Sequence, residues 1–174
     1  MFYGNINESV LQEGKILDFI KRIFKKKNKN NKTTNKYINQ KINGCSIFKL
    51  PVYIYINEKD KDKIPEIEEQ CKKDVQIINT HEDEALEKCV KYYNEYLTDI
   101  AQKGEEFEKL EKSDIYFGDC VYFASSGGGY YSFSVYADRD YHPYSNSYIT
   151  CDIRISEDGE LKYDIFTLDW LMFL

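Results

Sequence analysis

The sequence predicts an α+β fold: an antiparallel sheet of about five or six strands with one long helix packed on its apolar face. Three observations carry this reading. Between Asp114 and Trp170 apolar residues fall on alternate positions in four successive runs. Turn-forming residues separate those runs. Upstream, Leu86, Val90, Tyr93, Leu97 and Ile100 step by four, three, four and three, which draws one stripe along a helix.

The four C-terminal runs are Ile115, Phe117, Val121 and Phe123; Tyr131, Phe133, Val135 and Ala137; Ile149, Cys151, Ile153 and Ile155; and Leu161, Tyr163 and Ile165. Side chains in a strand alternate faces, so each run sets one apolar row on one side. The intervening Ser132, Ser134, Tyr136, Thr150, Asp152, Arg154, Lys162 and Asp164 form a polar row suited to water. Asp158-Gly159 has the residues of a tight primed turn, whose central positions need φ > 0. Ser125-Ser126-Gly127-Gly128-Gly129 makes a looser connection between the first two runs.

Before these comes a strand over 47–57, with Val52, Ile54 and Ile56 alternating with Tyr53 and Tyr55. Pro51 cannot donate to a ladder, which places this strand at an edge or starts it at Pro51. Pro65 suits the first turn of a short helix reaching about Lys72, and Val75 to Ile78 reads as a brief strand. The long helix comes next. Thr80 is its expected cap, with Asp83 three residues on, and Gly104 its expected stop. Phe107 and Leu110 fit a further helical turn over 105–112.

Charge divides the chain in two. Residues 1–45 hold ten Lys/Arg against three Asp/Glu, a balance of +7, and residues 46–174 hold fourteen against twenty-seven, a balance of -13; together these give the net -6. The expected organisation is a basic N-terminal segment (1–45) and an acidic α+β domain (46–174). Residues 8–26 read as an amphipathic helix, with Ile16, Leu17, Ile20, Ile23 and Phe24 on one side. It could dock on its own domain, lie on a membrane surface or bind a partner. Lys25 to Lys36 (KKKNKNNKTTNK) is polar and basic, a linker that buries nothing. It lacks arginine and interleaved aromatics, and the body beside it repels phosphate, so no nucleic-acid partner is expected.

No apolar run reaches the roughly 20 residues a membrane span requires. The opening Met1-Phe2-Tyr3-Gly4-Asn5 lacks the charged-then-apolar order of a secretory signal, so the expected compartment is the cytoplasm. Cys45, Cys71, Cys89, Cys120 and Cys151 are scattered with no CxxC pair, which argues against a zinc knuckle; Cys89 and Cys151 fall on apolar faces as buried thiols.

Chemistry-bearing motifs are sparse. Asp138-Arg139-Asp140-Tyr141-His142 gathers two carboxylates and an imidazole that could hold a divalent metal, although Asp-rich turns between strands also arise for local reasons. The glycine run leads into a strand and carries no lysine, so it is not a phosphate loop. GxSxG is absent, and a Cys120–His142 dyad lacks an orienting third group. His81, at the start of the long helix, reads as solvent-facing. No catalytic residue, metal or cofactor is expected.

A surface is the more informative feature. Tyr116, Tyr122, Tyr130, Tyr136, Tyr141, Tyr144 and Tyr148 fall on the polar side or at loop tips, among Asp114, Asp138, Asp140, Asp152 and Asp164. Tyrosine supplies rigid contact area at interfaces, and carboxylates steer a cationic partner. The expected contacts are Asp138, Asp140, Tyr141, Tyr144, Tyr136 and Asp152. The plainer alternative is a sheet face of cross-strand tyrosine pairs, or one covered by the N-terminal helix.

In size, acidity and the strand–helix–hairpin order from Val52 to Trp170, the chain resembles the immunity proteins of bacterial toxin systems. Its richness in Lys, Asn, Ile and Tyr fits the AT-rich genes such systems often have. The resemblance implies a non-catalytic protein that binds a basic toxin, such as a nuclease, and occludes it. It carries over no functional residue. Two other readings stand beside it: a small ligand- or metal-dependent enzyme using the 138–142 loop, and a structural or assembly protein docking through its N-terminal helix.

Overall fold

A computed structural model describes residues 36–100, 109–124, 128–137 and 147–169. The expected N-terminal helix, most of the basic linker, the 138–142 loop, residues 105–108 of the expected 105–112 turn and Trp170 lie outside the described residues.

Six strands form one sheet in the order β1-β2-β3-β4-β5-β6: β1 (Tyr37–Ile47), β2 (Leu50–Asn57), β3 (Ile115–Phe123), β4 (Tyr130–Ala137), β5 (Ser147–Ile155) and β6 (Leu161–Asp169). Two helices, α1 (Ile64–Ile78) and α2 (Glu82–Ile100), connect β2 to β3. The α+β class and the sheet-plus-helix architecture are as the pattern predicts. One pairing, β2 with β3, is parallel. Parallel neighbours need a long crossover, and here the two helices provide it.

The apolar side is built by alternation. Val52, Ile54 and Ile56 on β2, Tyr131, Phe133 and Val135 on β4, and Ile149, Cys151 and Ile153 on β5 are all buried. Each fully buried aliphatic side chain of this kind contributes about 1.5–3 kcal/mol. α2 lies against β5 and β6, and α1 against β1. Among the side chains described in α2, Ala85 and Cys89 are fully buried, while Leu86, Val90 and Tyr93 flank them half-buried. The stripe is thus centred about one position from where its large residues suggest, because small side chains let the helix approach the sheet.

Several expectations are corrected. β1 is an additional strand, running over Tyr37–Ile47, and among the described residues it is an edge of the sheet; β2 is not. Pro51 is tolerated because it sits second in β2, opposite Ser46. The 47–57 run is broken by a two-residue turn in which Phe48 (φ 51) and Lys49 (φ 65) both adopt the left-handed region. This is a primed hairpin turn made without glycine. The Phe48 ring accounts for it, stacking on Phe117 at 4.9 Å and packing on Phe133 at 5.2 Å. Asn79 fixes the same turn: its Oδ1 accepts the Phe48 N–H at 2.8 Å and its Nδ2 donates to the Ser46 carbonyl at 3.0 Å.

Val75 to Ile78 is helical, not a strand: α1 runs unbroken to Ile78, with Cys71, Asp74 and Ile78 facing inward. Alternate apolar residues over four positions cannot distinguish a strand from a helix end. Thr80 does not cap α2. It lies in a 3-10 turn (Asn79–His81), and its hydroxyl donates back to the Ile77 carbonyl at 2.7 Å. His81 is half-buried, with Nδ1 2.9 Å from the same carbonyl. At the β5–β6 hairpin only Gly159 has positive φ (85). Gly159 N–H donates to the Ser156 carbonyl and Ser156 N–H to the Glu160 carbonyl, both at 2.9 Å, which makes a three-residue loop with glycine in the left-handed position.

The largest correction is a bulge in β3. Phe117 pairs with Val135, but the next matched pair is Cys120 with Phe133. Gly118 and Asp119 together oppose Ser134, whose Oγ accepts the Asp119 N–H at 2.8 Å. The extra residue inverts the facing of the rest of the strand. Cys120 and Tyr122 therefore join the core, while Val121 and Phe123 turn to the other side.

Candidate partner-binding face

The helices occupy one side of the sheet. The other side carries a row of rings at one end. Tyr37 stacks on Tyr55 (4.8 Å, 11°), Tyr55 meets Phe123 (5.6 Å), Phe123 stacks on Tyr130 (5.2 Å, 21°), and the Arg154 guanidinium lies over Tyr130 at 5.1 Å. The row crosses β1 to β5. Burial pushes the Tyr55 phenol up to about 12, with Tyr37 beside it adding to the effect. Burial also pushes Tyr130 up to about 12; Asp152 acts in the same sense and Arg154 against it.

The middle of this face is not wet, contrary to the alternation argument. Val121, Ser132 and Thr150 have no exposure, Ser134 has 1% and Asp152 has 7%. These are short side chains set among Tyr53, Tyr55, Phe123 and Tyr136, none of which is without a partner. Arg154, Lys162 and Asp164, nearer the β6 edge, are exposed as expected. Among the described residues the Ser132 and Thr150 hydroxyls make no hydrogen bond.

At the opposite end of the face, Tyr116 and Tyr136 are cross-strand partners with rings stacked at 5.6 Å and 30°. Tyr116 is 51% exposed and Tyr136 half-buried. The bulge builds this pair. A Cβ at Gly118 would lie 2.1 Å from the Tyr136 ring, so only glycine lets that ring rest on β3.

The candidate contacts therefore separate. Tyr136 is at the surface beside Tyr116. Asp152 is buried next to Tyr130 and Arg154, where it acts within the sheet and offers no open carboxylate. Tyr122 is turned into the core, contrary to its expected place at the surface. Asp138, Asp140, Tyr141 and Tyr144 lie outside the described residues, as does His142. Cys120, the other half of the considered dyad, is buried and its thiol is pushed well above its usual range by desolvation, with Cys71 and Asp119 adding. Among the described residues no cluster of three or more His, Cys, Asp or Glu is placed to hold a metal.

The helical layer is acidic. Residues 58–100 hold thirteen Asp/Glu against seven Lys. Several of those lysines are already engaged: Lys88 with Glu84 at 3.5 Å, Lys91 with Glu95 at 3.9 Å, Lys63 with Asp60 at 2.9 Å, and Lys72 with Glu69. Lys112 reaches from beyond the helices to Asp83 (2.7 Å) and Glu87 (2.9 Å). The uncompensated excess is negative.

Sequence reasoning misses the ring row and its Arg154 end. The available signal is Gly118-Asp119 within an otherwise apolar run, since a glycine inside a strand often marks a bulge. No protein-family model matches the chain, and neither does any curated protein or solved structure.

Proposed function

We propose that this chain is a non-catalytic binding protein of the cytoplasm that neutralises a basic protein partner by covering its surface, in the manner of a toxin immunity protein. The observation that carries the reading is the segregation of charge: residues 46–174 hold a balance of -13, and the helical layer shows exposed Glu66, Glu69, Glu84, Glu87 and Glu95. Such a body draws cationic partners and raises their rate of encounter. Contact falls to the end of the sheet where β3 begins and β4 finishes. Tyr136 is there, and Asp138, Asp140, Tyr141 and Tyr144 come after it in sequence. No helix of the described residues is long and apolar enough to cross a membrane.

The test is recovery of the partner from source cells on the immobilised chain at low salt, followed by release in high salt. The expected product is a basic protein whose toxicity on expression is relieved by co-expression of this chain. Recovery of no basic protein, or a recovered protein whose expression leaves growth unaffected, contradicts the proposal.

A further inference from the structure

Among the described residues only two large apolar side chains are exposed, Ile77 at 36% and Tyr116 at 51%. Ile77 is a single side chain on a helix. Tyr116 is half of a built pair. Its ring stacks on Tyr136 at 5.6 Å, Tyr136 rests on Gly118, and Gly118 belongs to a bulge held by the Asp119 N–H to Ser134 Oγ bond at 2.8 Å. Each layer fixes the next, so the outer ring is presented with little rotameric freedom left to lose. Rigid aromatic area of this kind binds at low entropic cost.

The chemistry of the rings points to a cation. A phenol ring attracts a guanidinium or ammonium over its face, and arginine makes the better stack. Other tyrosines of this chain already do so internally: Arg154 lies over Tyr130 at 5.1 Å and Lys88 over Tyr163 at 5.0 Å. Tyr116 touches the Tyr136 ring, and no cation of the described residues lies over the Tyr116 ring. The acidic body supplies the field that brings a cation to it.

We infer that the exposed Tyr116 ring, held in place by its stack on Tyr136, is the docking platform for an arginine side chain of the basic partner. This rests on the proposed function and names the group that the partner inserts.

The test uses the full chain with acetyl-Gly-Arg-Gly-amide as probe and its lysine counterpart as control, followed by NMR of the tyrosine ring protons. Saturable shifts at Tyr116 with the arginine peptide, larger than with lysine, are expected. Tyr116→Ala weakens arginine-peptide binding about two- to five-fold, as expected for an exposed cation–π contact. Tyr116→Phe, which keeps the ring, retains it. Absence of Tyr116 shifts, or equal binding by wild type and Tyr116→Ala, overturns the inference; in the second case salt-sensitive binding leaves the acidic-body reading standing. Altered self-association of Tyr116→Ala at unchanged peptide affinity also overturns it, since the platform then serves a second copy of the chain.

Discussion

The Tyr131 hydroxyl donates to Asp74 Oδ2 at 2.8 Å, joining the centre of the sheet to the inner face of α1. Both residues are buried, and Asp74 Oδ1 accepts in addition from Gln70 Nε2 at 2.7 Å. Desolvation holds the Tyr131 phenol far above its usual range. A buried charge-assisted bond of this kind fixes the register of helix on sheet, because no sliding of α1 by a turn would restore it.

Removing one partner strands the other. Tyr131→Phe and Asp74→Leu are each expected to lower stability by about 1–3 kcal/mol in urea titrations. The double variant Asp74→Leu, Tyr131→Phe should lose less than the sum of its parts, since neither polar group then remains unpaired. Additive losses contradict the coupling.

The turn between β1 and β2 is strained at an exposed position. Lys49 has φ 65 and its side chain is exposed, so Lys49→Gly removes the left-handed penalty at no loss of packing. A gain of about 0.5–1 kcal/mol is expected after the added entropy of the unfolded glycine is offset. Phe48→Ala removes the ring that holds the turn and costs about 3–5 kcal/mol. A destabilised Lys49→Gly shows that the lysine stem contributes packing.

Stability should fall on the alkaline side. Burial raises Cys71 from 9.0 to about 12 and Tyr55, Tyr122 and Tyr130 from 10.0 to about 12. A raised folded pKa means the unfolded chain gives up its proton first, so the folded state loses ground as pH rises. The contribution is complete below pH 9 and is lost between about 9 and 12, the window set by those values. Urea midpoints measured across that range should decline throughout it. A midpoint that stays level to about pH 11 contradicts the burial of these groups.

Thr150 is fully buried on the face away from the helices, and its hydroxyl makes no hydrogen bond among the described residues. Thr150→Val keeps the shape and removes the unmet polar group, so stability should hold or rise by up to about 1 kcal/mol. A clear loss in thermal unfolding shows that the hydroxyl is satisfied.

The legibility of each element in the sequence depends on its period. Strands β4, β5 and β6 repeat regularly, and their inward residues are where alternation puts them; the long helix is legible as a helix, but its innermost positions, Ala85 and Cys89, lie one residue from the predicted stripe. β1 is hidden because its exposed Asn39, Gln40, Lys41 and Asn43 continue the polarity of the basic linker and only Ile42, Cys45 and Ile47 face inward. The second half of β3 reads inverted from sequence, since one added residue at Gly118-Asp119 leaves the apolar count unchanged while swapping Val121 with Tyr122 between faces. That slip also misplaces part of the candidate site. Tyr116 lies before the bulge and Tyr136 pairs with it there, so alternation sets both on the outer side, where they are found. Asp152 is expected in water, but alternation specifies the face and not its accessibility.

Salt dependence of partner binding bears most directly on the account. With the charges of the body exposed and screened over about 8 Å at physiological ionic strength, affinity for the basic partner should fall steeply and continuously as salt is raised. Titration calorimetry of the purified pair at a series of salt concentrations reads this out. An affinity that is unchanged across the series, or that strengthens with salt, means that apolar burial drives the association and contradicts recognition through the acidic surface.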